Sequence, residues 1–347
     1  MKILFLFIDQ IRPDTLHQSQ LLQELTSLGG TMYTNCHTPA PNTTRSLACL
    51  FSGLLPKFNG CDKPIKTPGF FFDPKMETIF HFLKNNDFQI NAYHEPNEID
   101  AGILPSEIKN YLSSDLQELS SLELKDKHFI WVGTTIHHTC MNRKGYSRTT
   151  LPFALNKATE FMKQLFESQA PDSFDHIFIF SDHGYLFNDE PRTTECYLSS
   201  RRTNILMFHR EKKQKKYLTN SRFCSILSLM PTIKHIINKK EPQSGYDFSL
   251  FSKKERNYIT LEDPVSYSPV VGNFNNMWGI LGKHNLRTFD SASKMEMKEI
   301  ERKILSKETD CFDNKGLSKK AENLEQQAVD RYKIMQQGAR LLYPEIK

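Results

Sequence analysis

Ile3-Leu4-Phe5-Leu6-Phe7-Ile8-Asp9-Gln10 decides the fold: an unbroken apolar run that ends on a carboxylate. It has a counterpart far downstream in Ile177-Phe178-Ile179-Phe180-Ser181-Asp182-His183-Gly184. Short apolar runs without polar alternation mark strands buried on both faces of a parallel sheet. Four stretches fit: Lys2–Ile8, Phe88–Tyr93, Phe129–Gly133 and His176–Ser181. Helical patterns lie between them. Leu16–Leu28 stops at Gly29-Gly30, Met76–Leu83 stops at Asn85-Asn86, and Leu151–Phe166 follows Thr149-Thr150 as a cap. The alternation predicts an α/β fold, a mainly parallel sheet covered by helices on both faces. Ligands in such sheets gather beyond the carboxyl ends of the strands, where Asp9 and Asp182 fall.

The chemistry of those ends is specific. Strand-end carboxylates with a histidine, His183, are ligands for a hard cation. The run Pro41-Asn42-Thr43-Thr44-Arg45-Ser46-Leu47-Ala48-Cys49-Leu50-Phe51-Ser52-Gly53 sets a hydroxyl just before a helix. Thr43 there serves as a helix N-cap, a nucleophile, or both, since a helix N-terminus favours developing negative charge. Together these groups point to metal-assisted ester cleavage.

At 347 residues the chain reads as one large domain, and its net charge of +5 is modest. Much of the excess sits in Arg210-Glu211-Lys212-Lys213-Gln214-Lys215-Lys216, read as a solvated loop. No aromatic residues interleave with it as a nucleic-acid strand would require, so no nucleic-acid partner is expected. The seven cysteines (36, 49, 61, 140, 196, 224 and 311) form no CxxC pair, which indicates neither a zinc ribbon nor a disulfide framework. Reduced thiols and an N-terminal apolar run too short for a signal peptide or membrane span predict a cytoplasmic protein. After Gly184, Asn204–His209 reads as a strand and Arg222–Asn238 as a helix carrying Pro231. Short strands at Asn257–Leu261 and Met277–Leu281 precede a charged helical tail from Leu317 to Leu342. Residues 1–245 are thus expected to form the catalytic core and 246–347 a smaller C-terminal subdomain.

At these residues the chain resembles the alkaline phosphatase superfamily, on its sulfatase and phosphonate monoester hydrolase side. Phe7-Ile8-Asp9-Gln10-Ile11-Arg12-Pro13-Asp14 resembles the first metal-binding strand end, and Ser181-Asp182-His183-Gly184 the second. Thr43 precedes Gly53 by the family's nucleophile-to-glycine spacing, and Leu55-Pro56-Lys57-Phe58-Asn59-Gly60 echoes its "YPxxHG". Phe129-Ile130-Trp131-Val132 leading to His138-Thr139 matches the strand before "HTP". Leu229-Met230-Pro231-Thr232-Ile233 and Phe312 through Glu322-Asn323-Leu324 echo later elements. The resemblance implies a three-layer α/β/α sandwich and one divalent cation, manganese or zinc before magnesium or calcium. Asp9, Asp182, His183, Gln10 and Thr43 would hold it. Thr43 and His138 would be catalytic, and Arg45, His94 and Arg192 would contact a small anionic ester.

The departures from the family pattern carry equal weight. Sulfatases place Cys or Ser at the nucleophile for conversion to formylglycine, which threonine cannot undergo. Leu47 stands where the family has an arginine, His94 where a lysine is common, and Thr134 where a second metal would need an acid. A one-metal hydrolase of phosphate or phosphonate esters is expected, with sulfate esters less favoured. Transfer to a sugar or lipid hydroxyl is the alternative, and a non-catalytic binding protein on the same scaffold is the second. Arg12 and Asp14 are expected to pair locally and His137 to be structural, while His284 is a lone histidine without an assigned role.

Overall fold

Every residue from Ile3 to Ile8 is fully buried, as the opening run requires of a strand covered on both sides. The computed structural model describes residues 1–61, 76–94, 112–113, 116–191, 198–242, 247–254, 258–267, 274–282 and 286–290. Arg192, His284 and the tail expected from Leu317 to Leu342 lie outside them. In chain order the strands are β1 (Lys2–Ile8), β2 (Gly30–Tyr33), β3 (Cys36–His37), β4 (Gln89–His94), β5 (Leu112–Ser113), β6 (His128–Thr134), β7 (His176–Phe180), β8 (Met207–Glu211), β9 (Tyr217–Asn220), β10 (Cys224–Ser225), β11 (Tyr258–Tyr267), β12 (Phe274–Gly282) and β13 (Leu286–Asp290). The helices that cover the sheet or position the site are α1 (Gln20–Leu28), α2 (Thr43–Ser52), α3 (Ile79–Lys84), α4 (Ile136–Lys144), α5 (Leu151–Ser168) and α6 (Leu229–Asn238).

Eight strands form the central sheet in the order β5-β4-β6-β1-β7-β8-β2-β9. β1 is parallel to both neighbours, β6 and β7, and only the pairings of β8 with β7 and β2 are antiparallel. Side-chain alternation divides the core into two layers. Phe5, Phe7, Phe129, Trp131, Phe178 and Phe180 pack with α2, α3 and α6. Leu4, Leu6, Ile8, Ile130, Val132, Ile177 and Ile179 pack with α1 and α5 through Leu21, Leu25, Leu155 and Met162. The result is an α/β/α sandwich with a mainly parallel sheet, as expected.

Several boundaries differ for local reasons. α1 begins at Gln20 rather than Leu16, because Pro13–Thr15 forms a 3-10 turn and Ser19 caps the helix by accepting from the Leu22 N–H. The segment expected as a helix from Arg222 first makes β10 and a 3-10 turn, and the helix starts at Leu229. That leaves Pro231 in the first turn, where a missing N–H costs no helical bond. The strand expected at Asn204–His209 is Met207–Glu211, with Asn204 bridged to His37. β11, β12 and β13 form a separate antiparallel sheet.

The basic run is not wholly solvated. Arg210 is buried and donates to the Leu28 and Pro171 carbonyls and to Asp172, while Lys212 and Lys213 are exposed. No helix among the described residues is long and apolar enough to cross a membrane.

Candidate active site

The register of the central strands brings the two acidic strand ends together. Phe7 pairs with Phe180, so Asp9 and Asp182 each lie two residues farther on, at the same height on adjacent chains. The Asp9 N–H donates to the Thr134 carbonyl (3.0 Å) and the Gln10 N–H to Asp182 Oδ1 (3.0 Å). The second bond needs a sharp turn, and Gln10 makes it in the left-handed region, at φ 64°. Asp9, Asp182 and His183 are buried and offer ligand atoms that all lie within 4.8 Å of one another.

His183 is oriented for that cluster. Its Nδ1 lies 2.7 Å from the Gly184 carbonyl, which places the ring proton on Nδ1 and leaves the Nε2 lone pair for the cluster. Gly184 cannot carry a side chain, since a Cβ there would meet the Arg201 carbonyl oxygen at 2.1 Å. Asp182 Oδ2 is buried, 3.3 Å from His183 Nε2 and without a hydrogen-bond donor. Burial first, and the neighbouring Asp182 second, push the Asp9 carboxyl up to about 7, with His138 pulling against them. Two desolvated carboxylates and an imidazole lone pair fit one divalent cation, which would relieve their mutual repulsion.

Thr43 is the first residue of α2, after Asn42 at φ −153°. Its Oγ1 lies 3.2 Å from His183 Nε2 and 3.5 Å from Asp9 Oδ1. Thr44, by contrast, is buried. The Thr43-to-Gly53 spacing is the length of α2 itself, closed by Gly53 in the left-handed conformation at φ 67°. Ser46 fixes the helix to the second motif. Its hydroxyl donates to the Asp182 carbonyl (2.8 Å) and meets Thr38 Oγ1 at 2.7 Å.

His138 reaches the cluster from α4, with Nδ1 2.8 Å from Asp9 Oδ2 and Nε2 2.7 Å from Asn142 Nδ2. His137 and His138 occupy the first turn of a helix, not a strand end, because β6 stops at Thr134. His137 is buried against Tyr185, and burial lowers its imidazole to about 4. Gln10 Oε1 accepts from the Tyr146 hydroxyl at 2.9 Å.

The remaining expected residues make other contacts. Arg45 is buried, its Nε donating to the Cys61 carbonyl at 2.8 Å. His94 ends β4 in register with Gly133, so close that a Cβ on that glycine would meet its Nδ1 at 2.2 Å. Leu47 belongs to the hydrophobic core and offers no surface to a substrate. Arg12 pairs with Asp14 (2.6 Å) and also with buried Glu190 (3.0 Å), bracing the chain after Gln10 against the segment after Gly184.

Three residues at the site have no local sequence signal. Tyr146 lies in the α4–α5 connection, and burial, then the Asp9 charge, push its phenol up. Arg202 donates to the Pro41 carbonyl at 2.5 Å, just upstream of Thr43. Burial holds the His183 imidazole down, Asp182 opposes this, and the Arg202 charge adds to the fall. Asn142 completes the set by holding His138.

No protein-family model matches the chain, and no curated protein matches it. Solved structures do. A 2-O GAG sulfatase superposes with a TM-score of 0.67 at 13% identity, over 91% of this chain and 93% of its own. A phosphonate monoester hydrolase from Silicibacter pomeroyi gives 0.58 at 12% identity, over 90% and 96%. A protein in the alkaline phosphatase superfamily from Vibrio parahaemolyticus gives 0.54 at 14% identity, over 83% and 78%. At such identities the likeness is one of fold.

Proposed function

We propose that this chain, with the alkaline phosphatase-like fold of sulfatases and a phosphonate monoester hydrolase, is a metal-dependent hydrolase of phosphate or phosphonate esters. The observation that carries the reading is the contact of Thr43 Oγ1 with His183 Nε2 (3.2 Å) and Asp9 Oδ1 (3.5 Å) at the N-terminus of α2. Asp9, Asp182, His183 and Gln10 would hold the cation, with the Thr43 oxygen beside them. A divalent ion there, manganese or zinc by the donor set, lowers the hydroxyl pKa and neutralises charge on the ester oxygens.

Thr43 Oγ1 attacks phosphorus, and the Asp9 carboxylate lies within reach of its hydrogen. The bond to the ester oxygen breaks and the alcohol departs, leaving a phospho-threonine that water hydrolyses. The N-terminus of α2 would favour the developing charge. His138 keeps Asp9 oriented through its Nδ1–H, with Nε2 accepting from Asn142 Nδ2, and the departing oxygen takes its proton from water. Arg202 and Arg45 supply cationic charge behind Pro41 and along α2. Residues 1–245 would carry this chemistry.

Threonine at position 43 also favours a second reading, transfer of the phosphoryl group to an acceptor hydroxyl. Trapping distinguishes both readings from a non-catalytic binder. Protein purified without chelator is quenched in acid during turnover of an aryl phosphodiester and digested. A phosphorylated peptide containing Thr43, absent from Thr43→Ala, is expected. A stoichiometric metal with an active Thr43→Ala protein refutes the nucleophile, and absence of any bound metal refutes the whole reading.

A further inference from the structure

β3 and β10 lie side by side and parallel, with Cys36 in register with Cys224 and His37 with Ser225. Neighbouring strands are about 4.8 Å apart, inside the Cα separation of roughly 4.4–6.8 Å that a disulfide spans. Register partners project to the same face of a sheet, and Cys224 Sγ lies 3.9 Å from the carbonyl oxygen of Asn35, the residue before Cys36. The backbone holds them there: the Cys224 N–H donates to Asn35 O (3.1 Å) and the Ile205 N–H to Cys36 O (2.8 Å). Cys49 and Cys140, by contrast, lie on the helices α2 and α4.

We infer that Cys36 and Cys224 are a covalent modification site, a dithiol that closes into a disulfide when the chain folds with a disulfide donor such as oxidised glutathione. One cysteine thiolate attacks the donor, giving a mixed disulfide and releasing one glutathione thiolate. The second cysteine thiolate attacks the protein sulfur of that intermediate, the Cys36–Cys224 bond forms, and the second glutathione leaves. Two electrons pass to the donor, and the two cysteine protons end on the two released thiols.

Burial sets the timing. Cys36 and Cys224 are 0% and 1% exposed, and burial raises the Cys36 thiol well above its ordinary range. In the folded chain Cys36 therefore forms little thiolate, and closure belongs to the stage before these strands are covered. The same burial then shields the bond from reductants. Where no donor operates, both residues stay thiols. The bond would tie the segment that runs into Thr43 to the segment that runs into α6, and both pack around α2.

The full chain, unfolded with reductant, is refolded in parallel in a glutathione redox buffer and in dithiothreitol, then alkylated and digested without reduction. In glutathione, five of the seven cysteines are expected to alkylate, with a Cys36–Cys224 cross-linked peptide that dithiothreitol abolishes. The oxidised protein should melt several degrees higher. Cys36→Ser and Cys224→Ser should each leave all six remaining thiols free. The same mapping on protein exported to a bacterial periplasm covers a poor refolding yield. Seven alkylated cysteines in both the refolded and the exported protein overturn the inference, as does a cross-link joining other cysteines.

Discussion

Replacing Asp9 with Asn should stabilise the cation-free protein while removing its capacity for metal. Asp9 is 2% exposed, and its carboxyl is pushed from 3.8 to about 7 by burial first and Asp182 second. A displacement of roughly three pK units corresponds to about 4 kcal/mol. Because the folded value lies above the unfolded one, the native state keeps a proton that the unfolded chain has lost between about pH 4 and 7. The cation-free fold is therefore penalised most above pH 7, and the penalty fades as the pH falls. Asparagine has the shape of the neutral carboxyl and carries no such penalty. Losing the charged bond to His138 returns about 1–2 kcal/mol, for a net gain of about 2–3 kcal/mol at pH 8. With an unfolding entropy of about 2.1 cal/mol/K per residue over 347 residues, this raises Tm by about 3–4 °C. Melts followed by circular dichroism in chelator at pH 8 and pH 5 should show that rise and then less than half of it. Added manganese or zinc should raise Tm of the wild type only. An Asn variant no more stable than wild type at pH 8, or one equally stabilised by metal, would refute the reasoning.

Thr44→Ala should keep most of the turnover that Thr43→Ala abolishes, because only Thr43 faces Asp9 and His183; equal losses in steady-state assays would remove the distinction. Tyr146→Phe removes the donor to Gln10 Oε1 and should weaken metal binding about tenfold; unchanged affinity in a competition titration would leave Tyr146 a packing residue. His37 and His209 are held down to about 3, and His128 and His137 to about 4, all chiefly by burial. Their contribution is complete above about pH 6.5 and is lost as the pH falls, by about 1.4 kcal/mol per pH unit for each, with Asp9 opposing them among the described residues. Urea midpoints of the cation-free protein should therefore drop steeply from pH 6.5 to 4.5, and a flat profile would count against these assignments. With one aryl leaving group, kcat/KM for a phosphodiester or phosphonate should exceed that for the sulfate about a hundredfold, or roughly 3 kcal/mol; parity would show that the threonine site does not exclude sulfate.

The sequence made legible what is continuous and apolar. β1, β6 and β7 were readable to within about a residue because strands buried on both faces leave no polar interruptions; β4 was placed as closely although Gln89 is exposed and Asn91 half-buried. β2 and β9 were not, since each is four residues long and the glycine that opens β2 also reads as a helix stop. Asp9, Thr43, Asp182 and His183 were readable because each ends or begins an element. Tyr146, Arg202 and Asn142 were hidden because they reach the cluster from loops and helices far along the chain. The pairing of Cys36 with Cys224 likewise depends on two-residue strands that no periodicity reveals. Leu47 is the opposite case. It stands where the family has an arginine, but on α2 it faces the core.

The place of β1 in the sheet also bears on how the protein is made. Its two neighbours, β6 and β7, come from residues 128–134 and 176–180. On the ribosome this apolar strand emerges before either neighbour and waits with both edges unpaired. Gln10 and Asp182 are 172 residues apart, a delay of roughly 10–35 s at bacterial rates of about 5–20 residues per second. Through that interval the nascent chain presents a bare apolar edge to other chains and to chaperones. A chain stopped before residue 176 has Asp9 and Thr43 but neither Asp182 nor His183, so the cluster of Asp9, Asp182 and His183 comes together only once both halves of the core have been synthesised.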